Sequence, residues 1–165
     1  MKENGYEQLL ARVHSSKKLT NVLRGVNMVA FIYAVFLFCF NFIDLAIDSG
    51  VLLLKYVLVC FVPFALVSVV RKIINRRRPY EVYDFCDKAP KDKLGQSFPS
   101  RHATSVFVIA TVALFFNLYL ALPLMLIGLL MCIARVLLGI HFISDVLAGA
   151  AIGVISALLG AWILF

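Results

Sequence analysis

Long apolar runs separated by short polar breaks set the pattern of this chain. Five runs, at about 26–43, 51–70, 102–120, 124–138 and 142–165, approach or exceed the roughly 20 residues that a membrane-crossing helix needs. The breaks between them are of two kinds. Residues 41–50, with Asp44, Asp48 and Ser49-Gly50, read as a solvated turn rather than a metal site, because no histidine or basic cluster accompanies the two carboxylates. Ala121-Leu122-Pro123 reads as a tight turn and Gly139-Ile140 as a helix break. The one long polar stretch, 71–100, is too long for a simple connection in so small a chain, and loops of that kind are usually functional. Ahead of the first run, Leu9, Leu10, Val13, Val22 and Leu23 recur at roughly helical spacing, and Lys17, Lys18 and Arg24 make the remaining surface basic. That pattern predicts an interfacial amphipathic segment over 1–25, on which His14 is a headgroup-level histidine.

The predicted architecture is therefore all-α: a polytopic membrane helical bundle of about five transmembrane helices, with its membrane-embedded domain over 26–165. Pro63 is placed to kink the second span, and Lys55 near its start to snorkel. Gly149 and Gly153 form a small-xxx-small pair that predicts close helix packing and permits a homodimer. Tyr80, Tyr83, Phe85 and Trp162 fit headgroup-level aromatics.

Counting crossings brings distant residues together. If the N-terminus is on one side, then 71–101 and 135–145 return to that same side. All of the 16 Lys and Arg residues except Lys55 lie there, and the positive-inside rule makes that face of the cell membrane cytoplasmic.

Composition narrows the class. The chain of 165 residues is 62% hydrophobic and 15% charged, where a soluble domain is about a quarter charged. The net charge of +7 suits anionic lipid or an anionic substrate, and no basic-aromatic surface or RNA-binding motif points to nucleic acid. Cys39, Cys60 and Cys132 lie in apolar runs and Cys86 in the polar stretch, without a CxxC pair, so neither a disulfide framework nor a zinc site is expected. No cleaved signal peptide is expected either.

The candidate chemistry lies in three polar groups at the edges of apolar runs, where ionisable side chains are costly and read as functional. Arg71-Lys72 and Arg76-Arg77-Arg78-Pro79 supply cations; part of that cluster also suits a headgroup anchor. Arginine forks match phosphate oxygens. In Pro99-Ser100-Arg101-His102, Ser100 is placed to cap the third helix, whose first N–H groups favour an anion, and His102 stands one turn inside as a proton donor. Arg135 interrupts an apolar run. His141 and Asp145, four apart, share a helix face, so the carboxylate can fix the imidazole and leave its other nitrogen as nucleophile or base. A nucleophile, cations for the equatorial oxygens and a proton for the leaving group are the needs of phosphoryl transfer. No carboxylate cluster is present for magnesium and the arginines oppose a bound cation, so no metal or cofactor is expected.

These groups resemble the signature of the type 2 phosphatidic acid phosphatase superfamily, which also includes vanadium haloperoxidases. Its motifs are K-x6-R-P, P-S-G-H and S-R-x5-H-x3-D. Arg71-x6-Arg78-Pro79 matches the first with arginine for lysine, Pro99-Ser100-Arg101-His102 the second with arginine for glycine, and Ala134-Arg135-x5-His141-x3-Asp145 the third with alanine for serine. The resemblance spans about 50–160. It implies an integral membrane lipid phosphatase in which His141 forms a phosphohistidine that water cleaves, Asp145 orients it and His102 protonates the leaving group. It further implies that Arg71 (or Lys72 in its place), Arg78, Ser100, Arg101 and Arg135 bind phosphate. The implied partner is a phosphorylated membrane lipid of polyprenyl diphosphate, phosphatidylglycerophosphate or phosphatidate type. Family members commonly have six spans, one more than counted here. A non-enzymatic anionic-lipid binder explains the basic stretch but not the His–Asp spacing.

Overall fold

The computed structural model describes residues 3–83 and 94–164; Phe85 and Cys86 lie outside the described residues. The described chain is helical and carries no strand. Its elements run α1 (Glu3–Ser15), α2 (Lys17–Asp48), α3 (Gly50–Ile74), α4 (Pro79–Val82), α5 (Arg101–Ala113), α6 (Leu118–Leu137) and α7 (Ile143–Leu164). Helices α2, α3, α6 and α7 are long and apolar enough to cross a membrane, which gives the polytopic helical bundle that the apolar runs predict.

Helix α5 is the exception. Its 13 residues rise only about 20 Å, short of the roughly 30 Å hydrocarbon slab. It forms the axis of the bundle and touches α2, α3, α6 and α7. Val106 and Ala110 join Ala34, Leu37, Leu124 and Met131 in one core cluster. Val108 and Val112, on another face, join Leu45, Tyr56 and Ala157 in a second. A helix packed against four neighbours needs small residues where backbones meet. A methyl group on Gly149 of α7 would lie 2.5 Å from the Ser100 carbonyl oxygen, and one on Gly153 would lie 2.6 Å from that of Thr104. The small-xxx-small pair thus seats α7 on α5 within one chain.

Three boundaries differ from the sequence reading. The turn expected over 41–50 is helical as far as Asp48, because Leu37, Asn41 and Leu45 keep one buried face at four-residue spacing; the break is Ser49 alone. The turn expected at Ala121-Leu122-Pro123 falls earlier, at 114–117, where the Asn117 side chain accepts the Leu120 N–H at 3.1 Å and caps α6; Pro123 is inside that helix. The amphipathic segment is cut at Ser16, whose hydroxyl accepts the Leu19 N–H at 3.3 Å, and from Lys17 onward it belongs to α2.

Helix α1 braces the end of α6. Val13 packs with Leu23, Ala134 and Leu138. The Tyr6 hydroxyl donates to the Val136 carbonyl at 2.9 Å, and His14 Nε2 lies 3.3 Å from that of Leu138. Both contacts fall on carbonyls of the last turn and cap of α6. His14 is thus half-buried rather than solvated, and burial lowers its pKa from the ordinary histidine value.

Candidate active site

Three segments converge at one end of the bundle, as the crossing parity requires. The first, 74–83, is stitched to 94–100. Asn75 ends α3 in the left-handed region (φ 41°), and its side chain accepts the Gln96 N–H at 3.2 Å. Glu81 accepts the N–H of Arg78 at 3.2 Å and that of Gly95 at 2.7 Å. The Ser97 N–H donates to the Arg76 carbonyl at 2.9 Å.

The third segment is set by how α6 stops. Gly139 takes φ +66°, its N–H bonds to the Val136 carbonyl, and the Ile140 N–H bonds to that of Arg135, both at 3.0 Å. This is a Schellman motif, which favours glycine at that position because a Cβ is strained there. The chain turns at once into α7, where the Asp145 carboxylate reaches back to the Phe142 N–H at 2.9 Å, the geometry of the third residue in a capping box. His141 is therefore held between the end of one helix and the start of the next.

Asp145 and His141 are buried, with 0% and 1% of their surfaces exposed. His141 Nδ1 lies 3.6 Å from Asp145 Oδ2, beyond hydrogen-bond length. Ser97 joins them: its hydroxyl donates in a short hydrogen bond to Asp145 Oδ2 and stands 3.3 Å from His141 Nδ1. Arg76 holds the other carboxylate oxygen at 2.8 Å, donates to Ser144 Oγ at 2.7 Å, and lies 4.4 Å above the Phe142 ring. These contacts engage Nδ1 and leave Nε2 as the nitrogen available for chemistry. Burial pushes the His141 pKa down to about 4; Asp145 opposes that shift, and the charges of Arg135 and Arg78 add to it.

Around this pair stand buried cations. Arg71 donates from Nη1 to the Pro99 carbonyl and Arg78 from Nε to that of Gly95, each at 3.0 Å. Arg135 is also buried, and the Nε atoms of Arg71 and Arg135 have no hydrogen-bond partner. Among the described residues none of the three pairs with a carboxylate. Ser100 caps α5, accepting the Ala103 N–H at 3.5 Å, and its own N–H donates to the Asp145 carbonyl at 2.9 Å, which locks the start of α5 to the start of α7. His102 is exposed in an apolar groove yet lies within the electrostatic reach of Arg135, His141, Arg101 and Arg71. The structure thus brings together Arg71, Arg78, Ser100, Arg101, His102, Arg135, His141 and Asp145. Lys72 is exposed, and Arg71, not Lys72, supplies the buried cation of α3. Ser97 and Arg76 are site residues that the motif reading missed. Among the described residues no three His, Cys, Asp or Glu side chains cluster as a metal would require.

A family model described as the PAP2 superfamily matches residues 52–165. The chain belongs to the PAP2 superfamily. Within it, the chain is 34% identical over 93 residues to the decaprenylphosphoryl-5-phosphoribose phosphatase of Mycobacterium tuberculosis, a match covering 56% of this chain and 50% of that protein. The chain thus spans about half the length of the curated relative it matches. Among solved structures, Aquifex aeolicus LpxE superposes with a TM-score of 0.72 at 24% identity, over 94% of this chain and 93% of that one. A transmembrane PAP2-type phosphatidylglycerolphosphate phosphatase from Bacillus subtilis superposes with a TM-score of 0.66 at 23% identity, over 98% and 85%. At these identities the superpositions establish a shared PAP2 fold, that of a multi-pass membrane protein.

Proposed function

We propose that this chain is a metal-independent membrane lipid phosphatase that works through a phosphohistidine. The observation that carries the reading is three buried guanidinium groups, on Arg71, Arg78 and Arg135, without a carboxylate partner among the described residues and beside a buried His–Asp pair. Buried charges left unpaired are costly, and an anion that arrives from outside and is held by several arginines removes that cost. The phosphoryl group of a lipid is such an anion, and the relatives with phosphatase names point the same way.

His141 Nε2 attacks phosphorus while Asp145 and Ser97 hold Nδ1. The arginines and the first N–H groups of α5 take the charge on the equatorial oxygens. His102 gives a proton to the departing oxygen of the lipid. Water then attacks the phosphohistidine, releases inorganic phosphate and restores His141. The substrate class is a phosphomonoester or diphosphate of a membrane lipid, of the polyprenyl diphosphate, phosphatidylglycerophosphate or phosphatidate type, and the basic N-terminal segment argues for a cytoplasmic site.

The test is phosphate release by purified protein in detergent with EDTA present, with His141→Ala alongside. Release by the wild type that persists in EDTA and vanishes in the variant is expected. Folded wild type that binds these lipids and releases nothing is an anionic-lipid binder instead.

A further inference from the structure

Arg101 occupies the position where the superfamily motif has glycine, and its surroundings are unlike those of the other site arginines. It is half-exposed at the first turn of α5 and lies 5.9 Å from the Phe64 ring of α3. Among the described residues it forms no ion pair and no hydrogen bond. It lines, with His102, the polar end of an apolar groove of about 360 Å³ between α2, α3 and α5. The groove continues past Phe38, Phe64 and Ile109 into a second hollow of about 200 Å³. Arg101 is also close enough to Arg71 for the two charges to repel.

This placement sets Arg101 on the leaving-group side of the reaction. A lipid whose tail fills the groove has its scissile phosphoryl group at His141 and its departing oxygen toward His102. Whatever lies between that oxygen and the tail faces Arg101. In phosphatidate this is an uncharged ester stem, which gives a guanidinium no partner, and in phosphatidylglycerophosphate the next charge is a phosphodiester a whole glycerol further along. In a diphosphate it is the inner phosphate.

We propose that Arg101 is a specificity-determining residue that binds the inner phosphate of a lipid diphosphate, and that this site removes the terminal phosphate to leave a lipid monophosphate. In the balanced step His141 Nε2 bonds to the terminal phosphorus as the bond from that phosphorus to the bridging oxygen breaks. The electron pair stays on the bridging oxygen, which becomes an oxygen of the lipid monophosphate held by Arg101. Water then cleaves the phosphohistidine and yields inorganic phosphate and a proton. The inference rests on the phosphatase reading only for the direction of the reaction; the binding preference stands apart from turnover.

The experiment uses farnesyl diphosphate and farnesyl monophosphate as probes of equal tail. Dissociation constants are measured on the full chain carrying His141→Ala, with and without Arg101→Gln and Arg101→Lys. The same pair is compared by kcat/KM with His141 intact, so that a poorly folded His141 variant does not decide the matter. The diphosphate is expected to bind tighter by roughly 10- to 100-fold, the factor that one charge-assisted hydrogen bond carries. Arg101→Gln shrinks that ratio toward one and Arg101→Lys restores part of it. An unchanged ratio in Arg101→Gln, or equal losses on both probes, overturns the assignment. Retained binding selectivity without turnover of either probe sinks the phosphatase reading and leaves Arg101 as the diphosphate reader.

Discussion

Asp145 holds more partners than its motif spacing suggests: Arg76 on one oxygen, Ser97 and the Phe142 N–H on the other, with His141 beside them. A carboxylate so engaged is fixed in place, and it fixes His141 in turn. Ser97 touches neither phosphate nor leaving group in this scheme, so it acts as a positioning residue. Ser97→Ala is expected to lower kcat by roughly 10- to 100-fold, the cost of leaving a buried acceptor short of a donor, with little change in KM. A variant that only loses thermal stability while kcat holds would assign Ser97 to the fold alone. The second residue-level expectation concerns the proton on His141. With its pKa pushed down to about 4, the ring is neutral at pH 7 and becomes cationic only as pH falls through about 4. In the unfolded chain it takes up that proton near pH ~6.5. Between those values the unfolded state binds more protons, so this group makes stability fall as pH drops from about 6.5 to about 4. Ring-nitrogen NMR of histidine-labelled protein, assigned with His141→Gln, reads the titration; a midpoint near that of a free histidine would refute the burial argument. The motif residues were legible because their types and spacings carry the chemistry. Ser97 and Arg76 were not, because a serine and one more arginine in a basic run gain meaning only when the segment folds against α7.

Among the elements, α5 and α7 meet through backbone, and the glycines of α7 permit it. Gly149→Ala places a methyl against the Ser100 carbonyl, a backbone atom that cannot swing aside. The expected loss is about 1–3 kcal/mol, as for other overpacked contacts, and activity falls with it because Ser100 and Asp145 share that junction. The control is Gly25→Ala in α2, where a methyl meets nothing within 4 Å. That change is expected to be neutral or to stabilise by up to about 1 kcal/mol through the better helix propensity of alanine. Thermal unfolding in detergent separates the two, and equal behaviour would remove the close-approach argument. The same contacts explain which boundaries the sequence revealed. Ser100 and Gly139 act locally, as cap and stop, and both were readable. The extension of α2 to Asp48 depends on Asn41 and Leu45 being buried by other helices, which a dip in hydropathy conceals. The α5–α6 turn was misplaced because Pro123 looked like the stronger breaker, whereas Asn117 supplies the cap.

Taken as one molecule, the bundle gathers its cations at one end, and of the described Lys and Arg residues only Lys55 lies toward the other. Single cysteines at Glu7 and Lys72 are expected to react with a membrane-impermeant thiol reagent from one side, and cysteines at Asp48 and Tyr119 from the other, in a background without Cys39, Cys60, Cys86 and Cys132. Labelling of all four from one side would break the crossing count on which the shared face depends. The brevity of α5 gives this polarity a further meaning. The helix ends at 113, and the turn beyond it bonds its own N–H groups back into the chain: Leu114 to Ala110 and Thr111, Phe115 to Val112, and Phe116 and Asn117 to Ala113. The turn ties these donors back into the chain, with Phe115 and Phe116 turned outward. The helix that carries the histidine and arginine of the second motif is shorter than each of the four long helices around it, and its charged start lies at one end of the bundle only.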